Sequence, residues 1–577
     1  MLASSVKKKI TRSILGLCVA AALALPFYDY AGAPTGVAFS DVTTAAGLSD
    51  FRNVQGGTAA KPHVLEVMGG GAAFLDFDND GKLDILLVRG STIDHYNKGG
   101  GNAVCALYKG DGNGHFTDVT KQSKLNEVRG WGMGVTVADY DNDGWQDILV
   151  TGYGRNFLFH NRHDGTFEEV AEKAGVRGSG WNTGAAFGDF DRDGYLDLYI
   201  ARYLEYPIDH LPEHNSSCNY RGTPVFCGPR GFPGSRDVIY FGDANGHFHD
   251  RTAELQIDPD KLYGLGVVAA DYDNDGWPDI FVTNDLSANL LYHNLGKGKF
   301  EEVALTANAA FSADGVEEGN MGADVADYDH DGWLDMYYTT SSFQTDELLQ
   351  NNHDGTFTNT TNPAGHGEAT YRFVKWGTSF ADLDNDGWDD LFVVNGHLYP
   401  EADKFDLGLV YKQRPLLFMN NRNKTFREIG REAGLTAAWK SRGLAVGDYD
   451  NDGRLDLLIN NLDDGPVLLH NDSPRQHWLT VRCVGTKSNR SAVGARLTLQ
   501  AGELRQIQEI KAGLSYLSAN DLRVHFGLGA HEKADWLEVR WPSGLTERVE
   551  GVAADQILTI EEGKSKAVPS VISRGEK

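Results

Sequence analysis

Asp139, Asp141, Asp143, Gly144 and Asp147 stand together in DYDNDGWQD, residues 139–147. Carboxylates at alternate positions, a glycine, and a fourth carboxylate three residues later make an oxygen-rich nest for a hard cation. Ca²⁺ takes roughly six to eight oxygen ligands, and side chains at positions 1, 3 and 5 converge only where the chain turns sharply. Glycine at position 6 permits that turn. A helix–loop–helix calcium loop needs a bidentate glutamate at position twelve. Val150 stands there instead, and the flanks alternate like strands.

The pattern D-x-D-x-D-G-x-x-D occurs seven times, and no copy lacks an aspartate. The candidate ligands are Asp76, Asp78, Asp80 and Asp84; Asp139, Asp141, Asp143 and Asp147; Asp189, Asp191, Asp193 and Asp197; Asp271, Asp273, Asp275 and Asp279; Asp327, Asp329, Asp331 and Asp335; Asp382, Asp384, Asp386 and Asp390; and Asp448, Asp450, Asp452 and Asp456. A metal-free Asp-Gly turn would explain one copy. Seven intact copies predict about seven Ca²⁺ ions, mainly structural. Mg²⁺ suits the loop less well, because it keeps several waters and demands stricter geometry.

Each loop sits between two apolar runs, as in MGVTVA before and DILVTG after the second copy. Further on come an L-[FLY]-x-N stretch and a G-x-F-x-[DE]-[VT] stretch, such as FLFHN (157–161) with GTFEEV (165–170). Four short strands per repeat are the content of a propeller blade. The last repeat lacks its fourth strand, and FSDVT at 39–43 can supply it and close the ring. The expected fold is all-β: a seven-bladed β-propeller over 36–473, with a small β domain over 476–562. There WLTVRCVG, ARLTLQ and DWLEVRW alternate apolar and polar residues. Asn489, Arg490, Gly494 and Arg496 in that domain read as turn geometry and surface charge.

The formal charge of the 577-residue chain is −28, which argues against a phosphate-binding basic face and so against nucleic acid. Seven bound Ca²⁺ ions would bring it to about −14.

The loops and their flanks resemble FG-GAP/VCBS repeats, the calcium-binding blades also found in the integrin α-subunit head. HWLTVRCVGTKSNRSAVGARLTL (477–499), AGLSYLSAND (512–521), VHFGLG (524–529) and VRWPSG (539–544) resemble the ASPIC/UnbV domain. The combination is similar to the cartilage acidic protein family. The resemblance implies calcium and the propeller, and it names no activity.

Residues 1–33 read as an export signal. Lys7, Lys8, Lys9 and Arg12 precede an apolar stretch at 13–27, and Ala31-Gly32-Ala33 offers a cleavage site. The stretch is short for a membrane span, and Pro34 after the cut leaves an uncleaved anchor as the alternative. The expected location is secreted, periplasmic or extracellular, with no stable membrane span after cleavage. In such a compartment Cys218 and Cys227 are expected to form a local disulfide, with two buried thiols as the alternative. Residues 563–577 read as a disordered tail.

With the aspartate loops on one face, specificity is expected on the other. His63, Glu66, Arg202, Tyr203, Asn284, Asp285, Glu318, Lys375, His397 and Arg442 map there as ligand-face candidates, beside Trp131, Trp181 and Trp376. The insertion at 203–237 lies on the same side. No G-x-S-x-G, H-E-x-x-H or P-loop occurs, so no catalytic set is defined. The expected function is recognition or adhesion toward a protein or glycan. The alternative is an exported enzyme, of the secondary-metabolism kind, with its site on that second face.

Overall fold

The computed structural model describes residues 36–208, 218–220, 222–405, 408–564 and 568–569. The signal segment, Cys18, the His210/His214 pair and most of the tail lie outside the described residues.

From Val37 onward the chain is almost entirely β, and each of the seven repeats contributes a sheet built on four antiparallel strands. In the fourth repeat the order is Gly264–Ala270, Asp279–Asn284, Leu290–Asn294 and Phe300–Glu302. The second repeat carries a fifth, short strand, Asn102–Ala103, beside Arg129–Ala138. Burial follows strand rank. First strands such as Asn182–Gly188 and Lys375–Ala381 are buried at every position, whereas a fourth strand such as Phe167–Glu169 buries one residue and wets the next. A strand covered on both faces must be apolar and small throughout; an outer strand needs only one apolar face.

The fold is a β-propeller. Strand Phe39–Asp41 pairs antiparallel with Val467–Asn471, so the two ends of the repeat region share one sheet. Glycines explain how tightly the inner strands meet. A glycine stands five residues before the first aspartate of every loop: Gly71, Gly134, Gly184, Gly266, Gly322, Gly377 and Gly443. At Gly184, Gly266 and Gly322 a Cβ would collide with the carbonyl oxygens of Leu265, Met321 and Trp376 in the following repeat. Gly443 meets the Gly70 carbonyl in the same way, which carries the packing from the last repeat to the first.

Two further four-stranded sheets form the C-terminal module, and His477–Val484 runs parallel to Gln556–Glu561. Leu479, Val481, Leu497, Phe526, Leu537 and Trp541 pack between the sheets. The same apolar cluster continues into Tyr140, Phe187 and Leu198 of the propeller, so module and propeller share a core.

Candidate metal centres and the axial segment

The second loop shows how the aspartates are held. Asp139 accepts the N–H groups of Asp143 (3.0 Å) and Gly144 (2.7 Å). Asp147 accepts those of Tyr140 (3.3 Å) and Asn161 (2.8 Å), which fixes the loop to the second and third strands. Asp141 lies between them, and its Oδ1 is buried without a partner. Ligand oxygens of Asp139, Asp141 and Asp147 all lie within 4.8 Å of one another, as do those of Asp76, Asp78 and Asp84. Asp78 Oδ1 and Asp450 Oδ1 are orphaned like Asp141 Oδ1.

Burial pushes Asp139 up to about 8, with Asp147 adding to it, and holds Asp147 at about 7. Asp84 and Asp448 are raised to about 8, again by burial first. Crowded, desolvated carboxylates with orphaned oxygens fit a bound cation, whose charge would restore their ionised form. Three histidines join these clusters: His160 lies 3.2 Å from Asp141, His293 3.3 Å from Asp273 and His470 3.6 Å from Asp450. All three occupy one register of the third strand, visible in FLFHN, LLYHN and PVLLHN.

Position 4 of the loop holds the repeats together. It takes a left-handed backbone in all seven copies, at Asn79, Asn142, Arg192, Asn274, His330, Asn385 and Asn451. Asparagine tolerates that conformation better than most side chains. Its Nδ2 donates to the position-6 glycine carbonyl of the next loop: Asn142 to Gly194 (2.9 Å), Asn385 to Gly453 (2.7 Å) and Asn451 to Gly81 (3.2 Å). The asparagine that ends the third strand makes a second link between repeats. Asn294 donates to the Phe190 carbonyl and Asn351 to that of Tyr272, both at 2.9 Å.

The C-terminal module covers this loop face, a placement the sequence reading did not include. Asn142 Oδ1 accepts the Arg490 N–H (2.7 Å), Asn79 Oδ1 accepts from Arg482 (3.1 Å), and Asn451 Oδ1 from Arg523 (2.9 Å). Asn385 Oδ1 pairs with His525 Nε2 (2.6 Å), and Arg540 forms an ion pair with Asp271. Reading Asn489, Arg490, Gly494 and Arg496 as surface charge and turns is corrected for one of them, Arg496. Arg496 is buried, bonded to Glu509 (3.0 Å) and the Asp271 carbonyl, and Asn489 is buried within its own turn.

From the module the segment 512–521 enters the centre of the ring. The inner edge of each first strand points unpaired N–H and C=O groups at the axis, and buried backbone groups must find partners. The segment supplies them. Ala519 N–H donates to Ala72 O (3.0 Å), Leu517 O accepts from Val135 N–H (3.0 Å), and Ala512 O accepts from Phe187 N–H (2.8 Å). Ser515 exchanges both backbone bonds with Ala323, its hydroxyl accepts from Thr378 N–H (3.0 Å), and Asn520 accepts from Val446 N–H (2.9 Å). Leu514 packs against Val268 and Ala270 of the remaining repeat. AGLSYLSAND is rich in small residues, which suit a narrow channel, and that was the available signal.

The residue before each inner-strand glycine stands beside this axis: Gly70, Met133, Thr183, Leu265, Met321, Trp376 and Arg442. Met133, Leu265, Met321 and Trp376, from four repeats, share one apolar cluster with Tyr516 and Leu517.

Most ligand-face candidates are interior. Lys375 is fully buried, 3.4 Å from Asp346, and donates to Ser341 O (2.9 Å) and Gln344 O (2.8 Å). Glu66 is buried and accepts Gly57 N–H (3.2 Å). Tyr203 is buried and donates to Asp285 (2.6 Å), whose carboxyl burial raises to about 6. Glu318 is raised to about 8 by burial and then by Glu347. Asn284, His397 and Arg442 are buried too, as are Trp131, Trp181 and Trp376. His63 and Arg202 are half-buried. Arg202 lines a groove of about 860 Å³ with Tyr153, Trp181, Tyr206, Phe232 and Lys261. Cys218 and Cys227 are joined, and the hairpin they close reaches from the third repeat to the sixth, where Phe226 meets Tyr399 and Tyr220 meets Phe405.

A model of the FG-GAP-like repeat matches residues 76–150, 139–200, 225–282, 271–338, 327–393 and 404–459, and the ASPIC and UnbV model matches 485–567. The chain belongs to the cartilage acidic protein-like family of FG-GAP repeat proteins. Cartilage acidic protein 1 of Xenopus tropicalis is 26% identical over 507 residues, covering 82% of this chain and 70% of that protein. The Homo sapiens protein is 26% identical over 512 residues, covering 82% and 69%. Among solved structures, an Agrocybe aegerita lectin described as recognising non-reducing terminal N-acetylglucosamine aligns with a TM-score of 0.39 at 15% identity, over 69% of this chain and 86% of that one. YCF48 bound to D1 peptide aligns at 0.38 and 10%, over 73% and 96%. Among the described residues no helix is long and apolar enough to cross a membrane.

Proposed function

We propose that this family member is a secreted recognition module, a seven-bladed propeller stapled by about seven Ca²⁺ ions, that binds a protein or glycan. The observation that carries the metal reading is the set of buried, unpartnered carboxylate oxygens at position 3 of three loops, on Asp78, Asp141 and Asp450. An orphaned buried acceptor costs on the order of 1–3 kcal/mol, more when charged, and a cation removes that cost. Imidazole is a poor ligand for so hard a cation, so His160, His293 and His470 act as charge partners of the loop carboxylates rather than as the seat of a softer metal.

With the loop face covered by the C-terminal module, the partner would meet the opposite face or the outside of that module. The groove along Tyr153, Trp181 and Arg202 is an open concave surface there, and aromatic walls with a few charged groups suit a glycan or a peptide loop. The competing reading is an exported enzyme on that face. Turnover that disappears in Asp285→Asn while the fold persists would favour it.

Bound-metal analysis of the purified chain tests the staple. About seven calcium equivalents per chain are expected, with no stoichiometric zinc or manganese. One or two equivalents, or a softer metal, would sink it.

A further inference from the structure

Six of the seven axial positions carry no charge, and the seventh is Arg442. It is fully buried, with its guanidinium 4.0 Å above the Trp376 ring. Nε donates to Val67 O (2.6 Å), and Nη1 to Ser441 O (2.8 Å) and Gly396 O (3.3 Å). Nη2 has no partner among the described residues. All three acceptors are neutral carbonyls. Asp463 reaches Arg442 only through its field and is itself paired with Lys61. A buried cation without a counter-charge is a strongly unfavourable arrangement. Lys375, the residue before Trp376, shows the usual remedy in the partner carboxylate of Asp346.

His397 stands one residue past Gly396, the carbonyl that Arg442 touches. Its Nδ1 accepts the Tyr399 N–H (3.0 Å). A ring nitrogen that accepts carries no proton, so the neutral ring's proton sits on Nε2. That Nε2 is buried and unpartnered as well. Two orphaned donors, one of them charged, therefore lie near Gly396, close enough for the Arg442 charge to act on the His397 ring. Water would satisfy the hydrogen bonds and leave the charge, whereas an anion satisfies both. Guanidinium geometry favours a carboxylate. The surroundings of His397 are aromatic, with the rings of Tyr399, Phe405 and Tyr220 centred 5.8, 6.0 and 6.1 Å away.

We propose that Arg442 Nη2 and His397 Nε2 hold the carboxylate of a small aromatic acid near the propeller axis, beside the Cys218–Cys227 hairpin. This site is separate from the metal loops and does not depend on which macromolecule the outer surface recognises.

The test uses the full calcium-loaded chain, titrated with benzoate and separately with chloride, reading tryptophan fluorescence and melting temperature. Saturable quenching and a raised melting temperature with benzoate are expected. Arg442→Met should fold, because methionine is native at the same position in the second and fifth repeats. It should weaken benzoate binding at least about tenfold. His397→Phe should weaken it less. Absence of a benzoate response in the native chain, or an equal response in Arg442→Met, overturns the proposal. Saturation by chloride with no competition from benzoate assigns an adventitious ion only, and overturns it too. Loss of metal stoichiometry would instead count against the staple, so the two failures are distinguishable.

Discussion

On the loop face, 28 aspartates recur in one pattern, and cations such as Lys109, Arg422, Lys424 and Arg454 meet them at positions 3 and 5. On the opposite face, buried charges are met one at a time, as Lys375 is by Asp346 and as Tyr203 serves Asp285. The first arrangement repeats because every blade poses the same problem: a tight turn between its first two strands. The second does not repeat, because each connection there has its own length and partners. Were each loop to hold its own ion, as proposed, chelation would strike every loop of that face at once, whereas a face of private pairs fails locally.

Removing the ion should have the largest effect. Excess EGTA is expected to lower the melting temperature by on the order of 10 °C or more, because all loops lose a ligand that binds only the folded chain. An unchanged calorimetric transition would show that backbone hydrogen bonds alone hold the loops, and the contrast between faces would collapse.

Next comes Lys375→Met, which strands Asp346 in the interior. A cost of about 3–5 kcal/mol by urea unfolding is expected, equal with and without calcium. A calcium-dependent cost would mean that the two faces are coupled.

Gly322→Ala addresses the ring that joins both faces. Its Cβ would meet the Trp376 carbonyl and the Ser515 backbone, so a loss of roughly 2–3 kcal/mol is expected. A neutral result would show that the axial segment can shift.

The smallest expected effect, about 2 kcal/mol, belongs to Asn385→Ala. It removes the bond to Gly453 and the acceptor for His525 at a left-handed backbone position. Proteolysis of the C-terminal module should accelerate with it. Unchanged proteolysis would mean that the module is held by its shared core and not by the loops.

Much of the propeller was legible in the chain. Strand-sized apolar runs, the aspartate loop and the early FSDVT strand depend on local turn chemistry and on a period that repeats, both of which a linear sequence displays. The glycine before each loop was equally legible and went unread, because its reason is a carbonyl in the next repeat. Position-4 asparagine is similar. Its left-handed backbone is a local fact, whereas its two hydrogen-bond partners come from the neighbouring loop and from a module hundreds of residues away.

The sequence by itself determined the β class, the loop chemistry and the family, because these rest on residue type and spacing within one blade. Only the tertiary structure decided that the C-terminal module covers the aspartate loops, that 512–521 fills the axis, and that Arg442, Lys375 and His397 are interior. Those outcomes depend on which surfaces meet once the ring has closed. Burial is a property of the closed ring, and a charged residue in a linear chain carries no mark of whether its partner is water, a carboxylate or nothing.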